Sequence, residues 1–409
     1  MPLRKAVFWT HLAVGGIAGI VILIMSVTGV LLMYERQITE WADRDYRSAP
    51  PSPGAARLPV ESLVEKVREA QPSGPSPSSI ALQSDPEAPA AVSLGRGRSV
   101  YVNPYTGEIL GEGSKKVRGF FHAVTDWHRW LGAHDESRDT ARAITGAANL
   151  GFLFLVVSGI YLWVPKIWSR RQLRNVTWFR RGLAGKARDF NWHNVFGFWM
   201  AIPLFFVVLS GVVISYPWAG NLLYRVAGES PPERRGPGGG GERGGRDEGE
   251  AVSLQGLDRL WVVAEQQVPG WQSISLRLPT AADAPMTFTI YRGQRGRPDL
   301  RGQLTMDRER GEIVRWEPYS SQTRGQKLRA WFRWIHTGEA GGFAGQTLAG
   351  IASASGALLV WTGIALAWRR FFPRRSRQPV SANPDTEATA LSPAPVESEE
   401  ILSYPRRKS

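Results

Sequence analysis

Trp192–Trp218 reads WHNVFGFWMAIPLFFVVLSGVVISYPW. A histidine opens the stretch, an apolar run follows, and Ser210-Gly211-Val212 and Tyr216-Pro217-Trp218 close it. No Asp, Glu, Lys or Arg interrupts it. A bilayer core is about 30 Å thick and takes about 20 helical residues to cross, so the stretch reads as a spanning helix. The start of the chain has the same design: His11 leads an apolar run that closes with Thr28-Gly29-Val30 and Tyr34. His11 to Gly29 and His193 to Gly211 are both 18 residues, and each histidine has glycine four residues on, Gly15 and Gly197. A repeated spacing of this kind points to internal duplication.

Two further runs share the uncharged composition, Ala143–Pro165 and Phe343–Trp368, beside Leu12–Tyr34 and Val195–Gly220. All four are long enough to span, and a soluble core would not accommodate helices with so little polar face. The first run passes into Tyr34-Glu35-Arg36 without a small-residue cleavage site, so it reads as a retained anchor.

Basic residues set the expected orientation. The loop between the second and third runs carries Lys166, Arg170, Arg171, Arg174, Arg180, Arg181, Lys186 and Arg188 against Asp189. Arg4 and Lys5 precede the first run, and Arg369, Arg370, Arg374, Arg375 and Arg377 follow the fourth. These regions are expected in the cytoplasm, with both long connections outside. The net charge of +14 is then a topology and headgroup signal, and nucleic acid is not an expected partner.

Each long connection reads as a helix packed on a small antiparallel sheet. In the first, Val60, Leu63, Val64 and Val67 share one helical face, followed by strand-like Ser79–Leu82, Ala90–Leu94 and Ser99–Val102. Asn103-Pro104-Tyr105-Thr106-Gly107 is a turn signal before Glu108-Ile109-Leu110. The second connection repeats the plan after a Gly-rich linker, Arg235–Gly249. Leu254–Gln267 is helical, Ser273–Leu278 and Thr287–Tyr291 alternate, and Leu304–Val314 holds a strand, turn and strand.

The chain has six histidines and no cysteine. Disulfides, thiolate-held iron–sulfur clusters and covalent CxxCH haem are therefore excluded. Four histidines have a small residue four positions on: His11/Gly15, His128/Gly132, His193/Gly197 and His336/Ala340. On a helix that residue shares the histidine's face, leaving room for a flat macrocycle. Topology sorts them into His11 with His193 on the cytoplasmic side and His128 with His336 on the outer side. Two histidines from different helices at one depth suit one haem iron, so two bis-histidine haem b groups are expected, with these four as iron ligands. His122 and His134 remain alternatives to His128. Interfacial hydrogen bonding is the competing reading of a lone histidine, and close helix approach that of the Thr-Gly and Ser-Gly pairs. His134-Asp135-Glu136 reads as a solvated loop or a surface metal site. No P-loop, dinucleotide fingerprint or HExxH motif is present, so electrons must come from a separate donor.

These residues resemble the PepSY-associated transmembrane family, which includes iron-regulated inner-membrane proteins and ferric-siderophore reductases. The resemblance rests on His11 with Thr28-Gly29, and on Trp127-His128-Arg129 with Ser158-Gly159-Ile160-Tyr161-Leu162-Trp163. It rests equally on His193 with Ser210-Gly211, and on His336-Thr337-Gly338 with Thr362-Gly363 and Trp368-Arg369. Val100–Leu110 looks like part of a PepSY domain. The resemblance implies a polytopic α-helical membrane protein with four transmembrane helices and two periplasmic α+β PepSY-like domains. The expected division is spans at 7–34, 143–165, 192–218 and 343–368, and PepSY-like domains at 35–118 and 251–330. An amphipathic segment at 119–142, a basic loop at 166–191, a Gly-rich linker at 219–250, an interfacial segment at 331–342 and a cytoplasmic tail at 369–409 complete it. The implied activity is reduction of a ferric-siderophore or other ferric chelate in the periplasm, with a quinol or cytoplasmic reductase as donor and no acid–base catalytic residue. The alternatives are a non-enzymatic module that binds or regulates an envelope protease or sensor, and a siderophore-uptake accessory protein.

Overall fold

The computed structural model describes residues 2–72, 74–94, 98–164, 169–232, 253–279, 281, 284–293 and 296–372. The Gly-rich linker Arg235–Gly249, Lys166 and the tail beyond 372 lie outside the described residues.

The chain starts in α1 (Pro2–Leu32), turns at Tyr34 into α2 (Glu35–Ala42), and reaches α3 (Val60–Ala70) after an extended stretch. Four short strands follow: β1 (Ser79–Gln83), β2 (Ala90–Ser93), β3 (Ser99–Val102) and β4 (Ile109–Gly111). Then come α4 (Lys115–Trp130), α5 (Ser137–Trp163), α6 (Arg170–Thr177), α7 (Gly185–Ser215) and α8 (Pro217–Val226). The second half continues with α9 (Leu257–Gln267), β5 (Ser273–Arg277), β6 (Met286–Tyr291), β7 (Arg301–Met306) and β8 (Ile313–Pro318). It ends with α10 (Arg324–His336) and α11 (Gly342–Phe371).

The helices α1, α5, α7 and α11 are each long and apolar enough to cross a membrane. They form a ring in which α1 packs on α5, α5 on α7, α7 on α11 and α11 on α1. The burial pattern is that of a membrane bundle. Ile17, Ile202 and Trp361 face outward at 85%, 70% and 66% exposure, whereas Ser26, Asn149, Ser158, Ser210, Ser355 and Thr362 are buried inside. A lipid-facing surface needs no polar cover, and small or hydroxyl residues let the backbones approach. The expected spans are all present, with α1, α5 and α7 beginning several residues earlier than the hydropathy runs. Charged ends such as Arg4 and Asp189 stay helical because their side chains find partners, which a composition reading does not register.

The strands of both connections join one antiparallel sheet, in the order β4-β3-β2-β1-β5-β6-β7-β8, rather than two separate small sheets. The join is β1 against β5, from Ser79↔Arg277 to Gln83↔Ser273, centred on Ala81↔Ser275. Both strands bury their second and fourth residues, Ile80 and Leu82 and then Ile274 and Leu276, on one face. That face packs under α3 and α9 to make one core with Leu63, Val64, Leu260, Trp261 and Phe288. Period-two alternation on one side and helical period on the other match because both elements must bury an apolar face. The opposite sheet face is small and polar: Ser79, Ala81, Ser275, Thr287, Thr289 and Thr305 are half-buried. Tyr101 stands on that polar face and meets Asp43, beyond α2, and Arg118, on α4. This contact ties the sheet to the bundle end at which α1 and α7 finish.

Candidate functional site

Two histidine pairs lie at opposite ends of the bundle. At the end away from the sheet, His11 on α1 places Nδ1 2.8 Å from Ser158 Oγ on α5. His193 on α7 places Nδ1 2.9 Å from Thr362 Oγ1 on α11. At the sheet end, His128 on α4 places Nδ1 2.9 Å from Thr28 Oγ1 on α1. His336, the last residue of α10, places Nδ1 3.0 Å from Val207 O and 3.3 Å from Ser210 Oγ on α7. All four rings thus use Nδ1 to hold a spanning helix. On both α1 and α7, the helix's own histidine and the hydroxyl it lends to the other pair are 17 residues apart, about 25 Å at the helical rise.

The glycine after the hydroxyl faces the ring in three of these contacts. A Cβ at Gly29 would lie 3.5 Å from His128 Cε1, at Gly159 3.6 Å from His11 Cε1, and at Gly363 3.5 Å from His193 Cε1. The imidazole edge therefore sits close over bare backbone. The fourth, Gly211, departs from the pattern. A Cβ there would meet Asn149 Nδ2 at 2.8 Å, so this glycine admits the amide that donates to Val208 O.

The sequence reading assigned the room beside the rings differently, to the residue four positions on. Gly15 and Gly197 do lie on their helices, where their Cβ positions face Leu155 and Leu359 of neighbouring spans. Gly132 does not lie on a helix with His128. Helix α4 stops at Trp130, Leu131 takes φ 53°, and Gly132 takes φ 74°. Ala340 likewise falls in the short turn after α10. The i,i+4 argument fails at both because the helix ends first.

The sheet-side pair is carried near the C-terminal ends of two short helices whose starts are fixed. Asp43 accepts from Ser114 N at 2.8 Å and pairs with Arg118, which fixes the start of α4. Glu229, just after α8, accepts from Arg324 N at 2.8 Å and Gly325 N at 3.0 Å, and Thr323 with Gln326 closes a capping box on α10. His128 and His336 then face each other with ring centroids 6.3 Å apart and planes at 54°. Such a distance is too long for close stacking. It is near what two imidazoles require when one metal atom lies between them with bonds of about 2 Å. Both line a cavity of about 480 Å³ that runs from Ile22, Phe152 and Leu204 inside the bundle to a polar rim at Arg36, Asp43, Tyr101 and Arg333. Its size is that of a cofactor pocket. Burial pushes His128 down to about 4, with nearby His336 adding to the effect, and burial likewise lowers His336. Both rings are therefore neutral near pH 7, the form that binds a metal. Burial raises the Tyr101 hydroxyl, which stays protonated and donates to Asp43.

The other two histidines are elsewhere. His122 is mostly exposed on α4, with Nδ1 3.2 Å from Asp126 Oδ2. His134 is exposed in the turn before α5. Neither lines the cavity, so the structure brings His128 to His336 rather than either alternative. Among the described residues no three His, Cys, Asp or Glu side chains are grouped to hold a metal ion. The paired histidines suit a group that brings its own equatorial ligands, and haem fits this donor set.

At the far end, Asp189 is almost fully buried one turn before His193 and holds Arg369 of α11 at 2.6 Å and Arg188 at 3.0 Å. Arg4 donates to Leu162 O and Val164 O at the end of α5. Sequence reasoning missed Asp43, Asn149, Asp189 and Glu229, and it left the hydroxyl–glycine pairs as packing devices. The available signal was their recurrence 17 residues after a histidine in both α1 and α7.

One family model, described as PepSY-associated TM region, matches residues 8–370. No curated protein matches the chain.

Proposed function

We infer the function from the premise that the chain belongs to the PepSY-associated TM family: it is a di-haem b oxidoreductase that reduces a ferric chelate across a membrane. The observation that carries this reading is the two histidine pairs at opposite ends of one spanning bundle, every Nδ1 engaged and His128 facing His336 across a cavity. His128 and His336 would hold one haem and His11 and His193 the other. Haem held by these imidazoles would supply reversible one-electron chemistry.

The chain's own residues do the rest. The four helices keep the histidine pairs at opposite depths. Outward Ile, Trp and Phe side chains face lipid, and Phe152, Leu204 and Val156 keep the bundle interior largely apolar. Basic residues around α6 and at Arg369 and Arg370 support a cytoplasmic placement for the far end, with the sheet in the periplasm and the bacterial inner membrane between. The mirrored strand order about Ala81↔Ser275 supports an origin by duplication. A quinol or a cytoplasmic reductase is the donor class, because no nucleotide-binding motif is present in the chain. One quinol oxidised to quinone releases two electrons and two protons and reduces two ferric ions to ferrous. The acceptor is a ferric-siderophore or another ferric chelate at the sheet side, and outer-sphere transfer requires no acid–base residue there.

A pyridine haemochrome assay on protein from haem-replete cells tests the reading. Close to two non-covalent haem b per chain is expected, and colourless protein would refute it. Reporter fusions at Gly240 and at the C-terminus should give opposite signals. In liposomes loaded with reductant, external ferric-siderophore should be reduced and trapped by a ferrous chelator.

A further inference from the structure

We propose that Thr28, Ser158 and Thr362 are positioning residues, joined at the fourth site by the Val207 carbonyl with Ser210 beside it: each site holds its histidine with the proton on Nδ1 and so presents Nε2 alone for ligation. The ligation half rests on the haem reading above. The tautomer half stands on the hydrogen bonds themselves.

A neutral imidazole has one nitrogen that donates and one that accepts. At His336 the assignment is direct. Nδ1 lies 3.0 Å from the carbonyl of Val207, and a carbonyl can only accept. The proton is on Nδ1, and Nε2 carries the free lone pair.

The other three sites reach the same state through a hydroxyl. Thr28 Oγ1 lies 2.7 Å from Ile24 O, Ser158 Oγ 2.7 Å from Phe154 O, and Thr362 Oγ1 2.7 Å from Leu358 O. Each hydroxyl has one proton, and the carbonyl four residues back receives it. What remains toward the imidazole is a lone pair, at 2.8–2.9 Å from Nδ1. The ring must then donate. The other tautomer would take the hydroxyl proton away from the carbonyl and make one bond where two are made now. In a buried site a lost partner is not replaced by water. Ser210 donates in the same way to Val207 O at 2.7 Å and shares His336 with it.

Orientation follows from the same contacts. The hydroxyl is fixed by its own helix, and at three sites the next residue is a glycine whose backbone lies close to Cε1. A ring flip would put a carbon against the hydroxyl and lose the bond. His11, His128 and His193 thus each have an edge facing glycine and Nδ1 bonded, and all four rings have Nε2 turned away from the supporting helix. Ligating histidines are oriented through their second nitrogen in this manner, and removing such a partner typically costs about 10–100-fold in affinity. The device also links the two ends of the molecule. Helix α1 supplies His11 to one pair and Thr28 to the other, and α7 supplies His193 and Ser210 in the same way.

The test has two arms on the full-length protein. In the first, haem-free protein labelled with ¹⁵N-histidine is prepared from haem-deficient cells. Its long-range proton–nitrogen spectra, assigned with single His variants, report which nitrogen carries hydrogen. His11, His128, His193 and His336 are expected to be protonated at Nδ1. Protonation at Nε2 in any of the three hydroxyl-held rings overturns the proposal. In the second arm, Thr28→Val and Thr28→Ser are titrated with haem and their midpoint potentials read. Thr28→Val should weaken the sheet-side haem about 10–100-fold and shift its potential, leaving the far-side haem alone. Thr28→Ser should restore both. Identical wild-type behaviour of Val and Ser variants overturns the positioning role. Ser158→Ala provides the mirror case at the far end. A wild-type protein that binds no haem refutes the proposed function, and the first arm still decides the tautomers.

Discussion

His11 and His193 stand on the spanning helices α1 and α7, whereas His128 and His336 stand on α4 and α10, short helices between the sheet and the next span. A hydrogen bond from Nδ1 to a spanning helix is common to both ends. The far-side pair is placed by helix packing, with Arg4 at the end of α5 and Asp189 against Arg369. The sheet-side pair depends in addition on Asp43, Arg118 and Tyr101, one of which belongs to β3. Anything that disturbs the sheet can therefore reach one pair without reaching the other. One histidine pair is fixed within the bundle, and the second lies within mechanical reach of the sheet.

The largest expected effect separates the two sites outright. His193→Ala should remove the far-side haem and spare the other, and His336→Ala should do the reverse, each halving haem content by pyridine haemochrome. Loss of both haems from either variant would show that the ends are not independent.

Phe288→Ala asks whether the sheet acts on one end only. Phe288 is fully buried in the shared core, and truncation should cost about 3–5 kcal/mol of sheet stability. Haem retention during thermal denaturation should fall at the sheet side first, seen as two separate losses in the Soret band. A single loss at both sites would break the distinction.

Two buried carboxylates sharpen it further. Asp43→Asn removes the charge that Arg118 faces and should cost roughly 2–3 kcal/mol, with weakened sheet-side haem. Asp189→Asn leaves Arg369 and Arg188 unpaired and should weaken the far-side haem instead. Redox titration of each variant should show one altered potential, and a different one in each case.

The smallest effect is expected at Glu229→Gln. This half-buried cap is backed by the Thr323–Gln326 box, so haem content and melting temperature should stay at wild-type values. A large loss would mean that α10 depends on Glu229 as α4 depends on Asp43.

The bundle was legible because uncharged runs of spanning length leave few alternatives. The strands were legible too: Ser99–Val102 matches β3, and the predicted bounds of β1, β2 and β5 are within a residue. The pairing of β1 with β5 was not legible. Nothing local in Ser79–Gln83 distinguishes an edge from a centre, and its partner is almost two hundred residues away. Histidine pairing followed from depth alone. The hydroxyl partners did not, because a Ser-Gly or Thr-Gly pair in a span serves close packing equally well, and only the distance from Nδ1 separates the two roles. Asp43 and Asp189 were hidden for a related reason: an acidic residue beside a span looks solvated until its arginine is found on another helix.

The seam between β1 and β5 sets a schedule for biosynthesis. Ser79 pairs with Arg277, and at about 5–20 residues per second the ribosome needs about 10–40 s to make the chain between them. Through that interval β2 covers one edge of β1 and the other is bare, an invitation to foreign strands. Two spans, α5 and α7, and the start of the second connection must be made before the seam can close. That exposure ends when β5 arrives, late in synthesis, and only then do the two halves of the sheet exist as one body.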